Sequence, residues 1–237
     1  MIIRYEMILP PTGDHPLYPA SAYRLYAGLL ETLPPDRASW LHEGGGRGLS
    51  QCLEYEKATG GYRWIVNLLE EETACLAPHL EELEQVTVED MTLPILRRDR
   101  ETQTMENLLT CQPLPGRFSL TFVTPTAFRQ AGRYAIFPQE RLIVQSLAQR
   151  WTAVFPQCPL EDGDALEAML TGLHIVDYNL RTTRFPLKGV RIPGFTGTCT
   201  LESRLPPPLH QLCAALLSFS RYSGIGIKTT IGMGAVL

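Results

Sequence analysis

His42 and Arg47 are the two residues of this sequence whose types and spacing best suit chemistry. They flank three glycines in the segment Trp40-Leu41-His42-Glu43-Gly44-Gly45-Gly46-Arg47-Gly48. A histidine at the edge of a loop can exchange protons near neutral pH, and an arginine can hold a phosphate through two hydrogen bonds. We predict that this segment is a loop in which the pair acts on a phosphate ester. The same residues also fit an ordinary surface histidine.

A second candidate lies near the end of the chain, between Ser223 and Gly234. Four glycines stand here in eleven residues, with one lysine and two threonines among them. Bare N–H groups in such a stretch can form an anion-binding concavity, and lysine supplies a charge suited to phosphate. The pattern is neither a P-loop nor a dinucleotide fingerprint. The alternative is a glycine-rich turn that leads into a C-terminal strand.

Composition limits the class of protein. The chain has 237 residues, 44% of them hydrophobic, which suits one large domain or two small ones. No apolar run approaches the roughly 20 residues of a membrane helix, and the N-terminus has no signal-peptide core, so we expect a cytoplasmic protein. The six cysteines contain no C-x-x-C pair, which argues against a zinc site and a disulfide framework. We expect no metal and no cofactor.

Charge is distributed unevenly between the two halves. Residues 1–115 contain 9 basic and 18 acidic residues, whereas residues 116–237 contain 12 basic and 7 acidic residues. Such an asymmetry is typical of contact with nucleic acid, although two unrelated domains could differ as much by chance. The basic residues of the second half lie in predicted loops and strand ends, with Phe128, Tyr134, Tyr178 and Phe185 among them. Cations beside aromatic rings suit RNA, and an ordinary solvated surface over core aromatics is the alternative.

The spacing of apolar residues predicts the elements that position these groups. In the first half we predict strands over 2–9, 49–56, 62–69 and 86–96, with helices after Ser21 and over 77–85. This order is that of a ferredoxin-like unit, βαββαβ. The second half repeats the order less regularly. We predict an α+β fold of two tandem ferredoxin-like domains, 1–98 and 117–237, joined by a linker over 99–116.

These pieces together resemble a known family, the CRISPR-associated endoribonucleases of the repeat-associated (RAMP) superfamily, which cut CRISPR repeat transcripts into guide RNAs. The segment from Ser223 to Gly234 resembles the family's glycine-rich signature in position and pattern. The segment from Gly189 to Gly197 is similar to its "GF-x-G" strand, and 122–128 with Phe137-Pro138 resembles its central domain. Leu41-His42-Glu43 lies where the family often keeps a catalytic histidine. The resemblance covers nearly the whole chain.

The resemblance implies two ferredoxin-like domains and metal-independent cleavage of CRISPR repeat RNA. The ribose 2′-OH attacks its own 3′ phosphate and leaves a 2′,3′-cyclic phosphate and a 5′-OH. His42 would be general base or acid, Arg47 the charge stabiliser, and Tyr26 a weaker candidate for the tyrosine that some members add, with Tyr23 and Glu31 nearby. The residues implied in RNA binding are Arg129, Arg133, Arg181, Arg184, Arg191, Gly224, Gly226, Lys228, Thr229, Gly232 and Gly234.

The expected partners are CRISPR repeat RNA and subunits of a CRISPR effector complex, with the chain a monomer or homodimer and not bound to a membrane. Two other readings stay open at this point. One is a non-catalytic RNA-binding subunit of the same superfamily. The other is a ferredoxin-like enzyme whose glycine loop binds a nucleotide phosphate, against which the lack of a carboxylate cluster for Mg²⁺ counts modestly.

Overall fold

A computed structural model describes residues 1–43, 48–110 and 114–237 of the chain. It contains two four-stranded arrangements, each with helices on one face. The first half forms β1 (Ile2–Leu9), α1 (Ala22–Glu31), α2 (Pro35–Glu43), β2 (Leu49–Glu56), β3 (Gly61–Leu68), α3 (Glu71–Ala74), α4 (Ala77–Glu82), β4 (Gln85–Val88), β5 (Met91–Pro94) and β6 (Arg97–Gln103).

The main sheet of this half is antiparallel, with the strand order β2-β3-β1-β6. Side chains of β1 alternate between its two faces, as the period of a strand requires. Ile3, Tyr5, Met7 and Leu9 point into a core that they share with α1 and α4. Because the first and last strands lie side by side and the middle two form a hairpin, the predicted ferredoxin-like order is confirmed for this half.

Two predictions in this half are wrong. The segment 86–96 is not the fourth strand of the sheet, because it folds back on itself as the separate hairpin β4–β5. The fourth strand is β6, most of which lies in the predicted linker 99–116. The many charged side chains of β6 are tolerated because this strand lies at a sheet edge, where charge also discourages pairing with other chains. Arg98 of β6 donates hydrogen bonds to the carbonyl oxygens of Glu81 and Leu83 behind the sheet.

The third correction concerns the segment that contains His42. Residues 35–43 form helix α2, not a loop. Pro35 is the first residue of this helix, a position where proline is favoured because its missing N–H would be unpaired in any case. Leu41 of α2 is buried in the core of this half, and Trp40 packs against the same core. These contacts hold the helix against the domain.

The second half repeats the arrangement with longer strands. Its elements are α5 (Met105–Leu109), β7 (Arg117–Thr126), β8 (Phe128–Gln130), β9 (Arg133–Ala135), α6 (Glu140–Val154), α7 (Gly163–Gly172), β10 (Leu173–Leu187), β11 (Val190–Ser203) and α8 (Pro207–Ser223). The sheet has the order β10-β11-β7. The final residues 235–237 pair with the free edge of β7 through Phe122 and Val236. Residues 124–133, which include the basic residues Arg129 and Arg133 expected in a loop, are mostly strand.

Residues 235–237 take the fourth strand position beside β7, as β6 does beside β1 in the first sheet. Both halves therefore have the ferredoxin-like strand order. The domain boundaries themselves stay a prediction, since α5 of the predicted linker packs its Leu108 into the core of the second half. Of the five cysteines described, Cys52, Cys199 and Cys213 are buried and none forms a disulfide. Within the described ranges, no helix combines the length and apolar content needed to cross a bilayer.

The two halves meet through buried polar contacts on the face of the first sheet that carries no helix. The guanidinium of Arg4 is buried, and it donates to the carbonyl oxygen of Arg221 at the end of α8 (3.1 Å) and forms an ion pair with Glu6 (2.8 Å). Ser50 donates to the carbonyl oxygen of Tyr222. The end of α8 and the chain that follows it are therefore fastened to both sheets.

Candidate functional site

The glycine loop, residues 223–234, lies at the junction of the two halves. The Thr230 hydroxyl donates to the carbonyl oxygen of Leu49 in β2, and Gln51 Nε2 donates to the carbonyl oxygen of Thr230 (2.9 Å). On the other side, the Gly234 amide donates to the carbonyl oxygen of Pro125 in β7 (3.1 Å). The loop thus joins β2 of the first sheet to β7 of the second.

The amides of the four predicted glycines are used within the protein. The amides of Gly224, Gly226, Gly232 and Gly234 donate to oxygens of Ser220, Ser146, Thr229 and Pro125 respectively. A concavity of bare N–H groups at these four positions, as predicted from the sequence, is therefore wrong. The glycines are required for close packing instead: a Cβ on Gly226 would stand 2.3 Å from the carbonyl oxygen of Ala127.

Lys228 is the group of this loop that remains available to a ligand. It adopts a left-handed backbone conformation (φ 58°), which is unusual for a residue with a side chain. Its carbonyl oxygen accepts hydrogen bonds from Ile231 and Met233, so the strained conformation is held by the loop. The side chain is exposed, and in the described part of the chain its ammonium has no carboxylate partner. Thr229, by contrast, is buried.

His42 occupies the last turn of α2 and is exposed to solvent. The buried neighbour Leu41 fixes the helix, so the imidazole is presented outward by a firm element rather than by a loop. Arg47, its predicted partner, lies outside the described residues. The described chain resumes at Gly48, which packs against the side chain of Glu70.

Tyr26, the third catalytic candidate, is buried. It lies in the core of the first half, and its hydroxyl is buried without a hydrogen-bond partner in the described structure. Burial raises the pKa of Tyr26 to about 12, so it is also a poor proton donor near neutral pH. Tyr26 therefore no longer qualifies as a catalytic candidate. Its neighbour Tyr23 contacts the second half instead, with the Lys188 ammonium 5.6 Å from its ring centre.

The predicted RNA-binding arginines lie on two hairpins of the second half. Arg129 and Arg133 are on β8–β9, and the other three, Arg181, Arg184 and Arg191, are on the long hairpin β10–β11. All five are exposed, and none forms an ion pair with a carboxylate of the described residues. Other exposed arginines of the chain, such as Arg117 with Glu202 at 3.0 Å, are paired. The five side chains, on two hairpins, are therefore available to anions.

The four aromatic residues named with these arginines divide into two pairs. Phe128 and Phe185 are buried core residues, so their predicted part in base stacking is wrong. Tyr134 and Tyr178 are exposed. Tyr178 forms an edge-to-face pair with the exposed Phe137 (5.4 Å between ring centres), a surface ring that was not predicted. Exposed rings beside free arginines can stack unpaired bases.

A cleft of about 620 Å³ opens between the two halves and was not predicted from the sequence. Its walls include the exposed rings of Tyr18 and Tyr55 from the first half and Arg181 from the second. The Arg181 Nε donates to the Thr196 hydroxyl (3.2 Å), which orients the guanidinium along this wall. Only the packing of the two sheets brings these residues together, since they are more than 120 positions apart in the chain.

The chain is similar in sequence and in fold to CRISPR-associated endoribonucleases. A model of the CRISPR-associated endoribonuclease Cas6 family matches residues 120–236, about half of the chain. A CRISPR-associated endoribonuclease Cas6 from Streptococcus thermophilus is 29% identical over 94% of this chain and 93% of its own length. The solved structure of Thermus thermophilus Cas6 has a TM-score of 0.80 at 26% identity, covering 100% of this chain and 98% of that one.

A second solved structure, a Cas6 product complex, has the same TM-score of 0.80 and 26% identity, again over 100% of this chain and 98% of that one. Both structures extend over the two ferredoxin-like arrangements, and the family model covers the glycine loop. The similarity is thus not confined to one half. The chain belongs to the Cas6 family of CRISPR-associated endoribonucleases.

Proposed function

We propose that this protein cuts CRISPR repeat RNA without a metal ion, by attack of a ribose 2′-OH on the adjacent phosphate. The observation that carries the proposal is the set of five exposed, unpaired arginines on two hairpins of a chain of this family. A related structure of similar fold is named as a product complex, which supports a shared reaction. In the reaction, the O2′–P bond forms and the P–O5′ bond breaks. The products are a 2′,3′-cyclic phosphate and a 5′-OH.

His42 is the proposed proton-transfer group. Two proton transfers are needed, since O2′ must lose a proton and O5′ must gain one, and an exposed imidazole can serve either transfer. Arg47 is proposed to stabilise the charge on the non-bridging oxygens of the phosphate. The resemblance of Leu41-His42-Glu43 to the family pattern supports these roles. The outward position of His42 on a helix anchored by Leu41 is compatible with contact to a large substrate.

Cleavage in a chelator tests the chemistry. The RNA is the CRISPR repeat of the source genome, labelled at one end, and the protein is the full chain in EDTA. We expect one cut that leaves a 2′,3′-cyclic phosphate, and no cut in the same RNA with a 2′-deoxy at the cleaved position, because the nucleophile is then missing. Tight binding without any cut would instead identify a non-catalytic RNA-binding subunit.

The cationic hairpins supply a second test, on binding. Replacing both Arg129 and Arg133 with glutamine should weaken binding of the repeat. It should also reduce the magnitude of the negative slope of log K against log salt by roughly 1.4 to 1.8, since each phosphate contact contributes about 0.7–0.9. The control replaces Arg117 and Arg204 with glutamine. Both are exposed and already paired with Glu202. An equal loss of slope in the two double variants would show that the charge change matters and its position does not.

A further inference from the structure

A cavity of about 450 Å³ lies between α6, the start of α3 and the glycine loop. Two cations, Arg150 and Lys228, face it together with one carboxylate, that of Glu70. Its other polar wall residues are Ser146, Gln149, Thr229 and Thr230. Glu70 also packs against Gly48, which directly follows the segment that contains His42 and Arg47. Through Glu70, the wall of the cavity therefore reaches Gly48 at the start of β2.

Arg150 is an unusual cation for this protein. Its side chain is half-buried in α6, and its Nη2 donates to the carbonyl oxygen of Gly226 at 3.2 Å. Among residues 1–43, 48–110 and 114–237, no carboxylate forms an ion pair with it. Burial lowers the pKa of Arg150 to about 10. A guanidinium that loses hydration without gaining a counter-charge is destabilised, and a bound anion would compensate this loss.

Further hydrogen-bond donors stand beside Arg150. The Ser146 hydroxyl oxygen accepts the Gly226 amide (2.8 Å), so its own proton is left for another acceptor. The Lys228 ammonium is exposed, and the described structure gives it no partner. The hydroxyl of Thr229, on the same wall, is buried and has no hydrogen-bond partner among the described residues. Glu70 contributes one negative charge against the two positive charges of Arg150 and Lys228, so the wall of the cavity carries a net positive charge.

We propose that this cavity is a phosphate-binding site in which Arg150 and Lys228 hold the phosphoryl oxygens, and that its occupant is a backbone phosphate of the RNA. The RNA part of this statement rests on the proposed function. Arg150 offers two adjacent N–H groups to one phosphate, whereas Lys228 supplies a mobile point charge. The Gly226 carbonyl and Ser146 keep α6 and the glycine loop in register, so both cations face the same space.

The first experiment measures RNA affinity against salt for the full chain and for Arg150→Met. Removing one phosphate contact should reduce the magnitude of the negative slope of log K against log salt by roughly 0.7–0.9. The matched control is Arg141→Met, which removes the same charge from the same helix. Arg141 is exposed and bound by Glu167 in a two-point ion pair, so its loss should leave the slope unchanged. An unchanged slope in Arg150→Met would overturn the proposal.

The second experiment needs no RNA. Inorganic phosphate at constant ionic strength should raise the Tm of the wild-type protein, because a ligand that binds only the folded state stabilises it. Arg150→Met should lose this shift. The variant loses a half-buried unpaired charge and also the hydrogen bond to the Gly226 carbonyl, so the phosphate shift is measured against its own Tm in phosphate-free buffer. Lys228→Met, at an exposed position, repeats the test should Arg150→Met fold poorly. Absence of any phosphate shift in the wild type would count against the site.

The two experiments separate this inference from the proposed function. If the wild-type protein binds and cuts the repeat while Arg150→Met and Lys228→Met both show an unchanged salt slope, the proposed function stands and the phosphate site is overturned. If the wild-type protein does not bind the repeat but phosphate raises its Tm in an Arg150-dependent way, the phosphate site stands and RNA is not its ligand.

Discussion

His42→Ala is expected to slow cleavage of the repeat RNA by roughly 10²–10⁴-fold, the contribution usually made by a positioned acid or base. Binding of the RNA should change little, because the arginines proposed to contact phosphates lie in the second half of the chain. The measurement is single-turnover cleavage in EDTA, with affinity determined separately on an RNA that carries a 2′-deoxy at the cut site. Loss of rate with full affinity would assign the effect to the chemical step.

His15→Ala is the matched control for this experiment. His15 is also exposed in the first half, and its described hydrogen bonds, both with Thr12, use the backbone rather than the imidazole. We expect its cleavage rate to match the wild type. Equal rates in His42→Ala and the wild type would remove His42 from the mechanism and leave the proton transfers to other groups.

Gly226→Ala is expected to destabilise the fold more than an ordinary surface change. Gly226 has a φ of 85°, and a Cβ there would approach the carbonyl oxygen of Ala127 to 2.3 Å, so backbone must move. Left-handed strain and overpacking together should lower the free energy of unfolding by about 2–4 kcal/mol. For a chain of this size that corresponds to a fall in Tm of roughly 5–15 °C, measured by thermal unfolding.

Gly189→Ala separates the two contributions. Gly189 has nearly the same φ, 79°, in the turn of the β10–β11 hairpin, but a Cβ there would meet no atom within 4 Å. Its substitution should cost only the conformational part, about 1–2 kcal/mol. A Gly226→Ala variant no less stable than Gly189→Ala would mean that the glycine loop can relax away from Ala127. The junction of the two halves would then be looser than the close approach indicates.

Local sequence patterns were sufficient for the elements with a clear period and a clear boundary. Alternating apolar residues predicted β1, and the Thr59-Gly60-Gly61 turn between two apolar runs predicted the β2–β3 hairpin. The family resemblance rested on the same kind of information, since its glycine and phenylalanine spacings are continuous along the chain. Those features depend on neighbours in sequence, so they could be read before any packing was known.

The misread elements were those in which a local signal had two meanings. Pro34-Pro35 is typical of the end of a helix, but proline at the first position also begins one, and α2 starts at Pro35. The charged run Arg97-Arg98-Asp99-Arg100 is typical of a connection, yet an edge strand tolerates charge because one of its edges faces solvent. Position within the sheet, which the local residues do not encode, decided each case.

The role of individual site residues was decided by tertiary structure. The glycines of the glycine loop suggested free amides, whereas their N–H groups donate to oxygens of Ser220, Ser146, Thr229 and Pro125. The Lys228 side chain stays exposed. Arg150 resembled any other helical arginine in sequence. Its partial burial without a carboxylate exists only because α6 lies against the glycine loop, 76 residues further along the chain. Desolvation and hydrogen-bond satisfaction depend on such distant neighbours, so the sequence determined which groups are present and the fold determined which are free to bind.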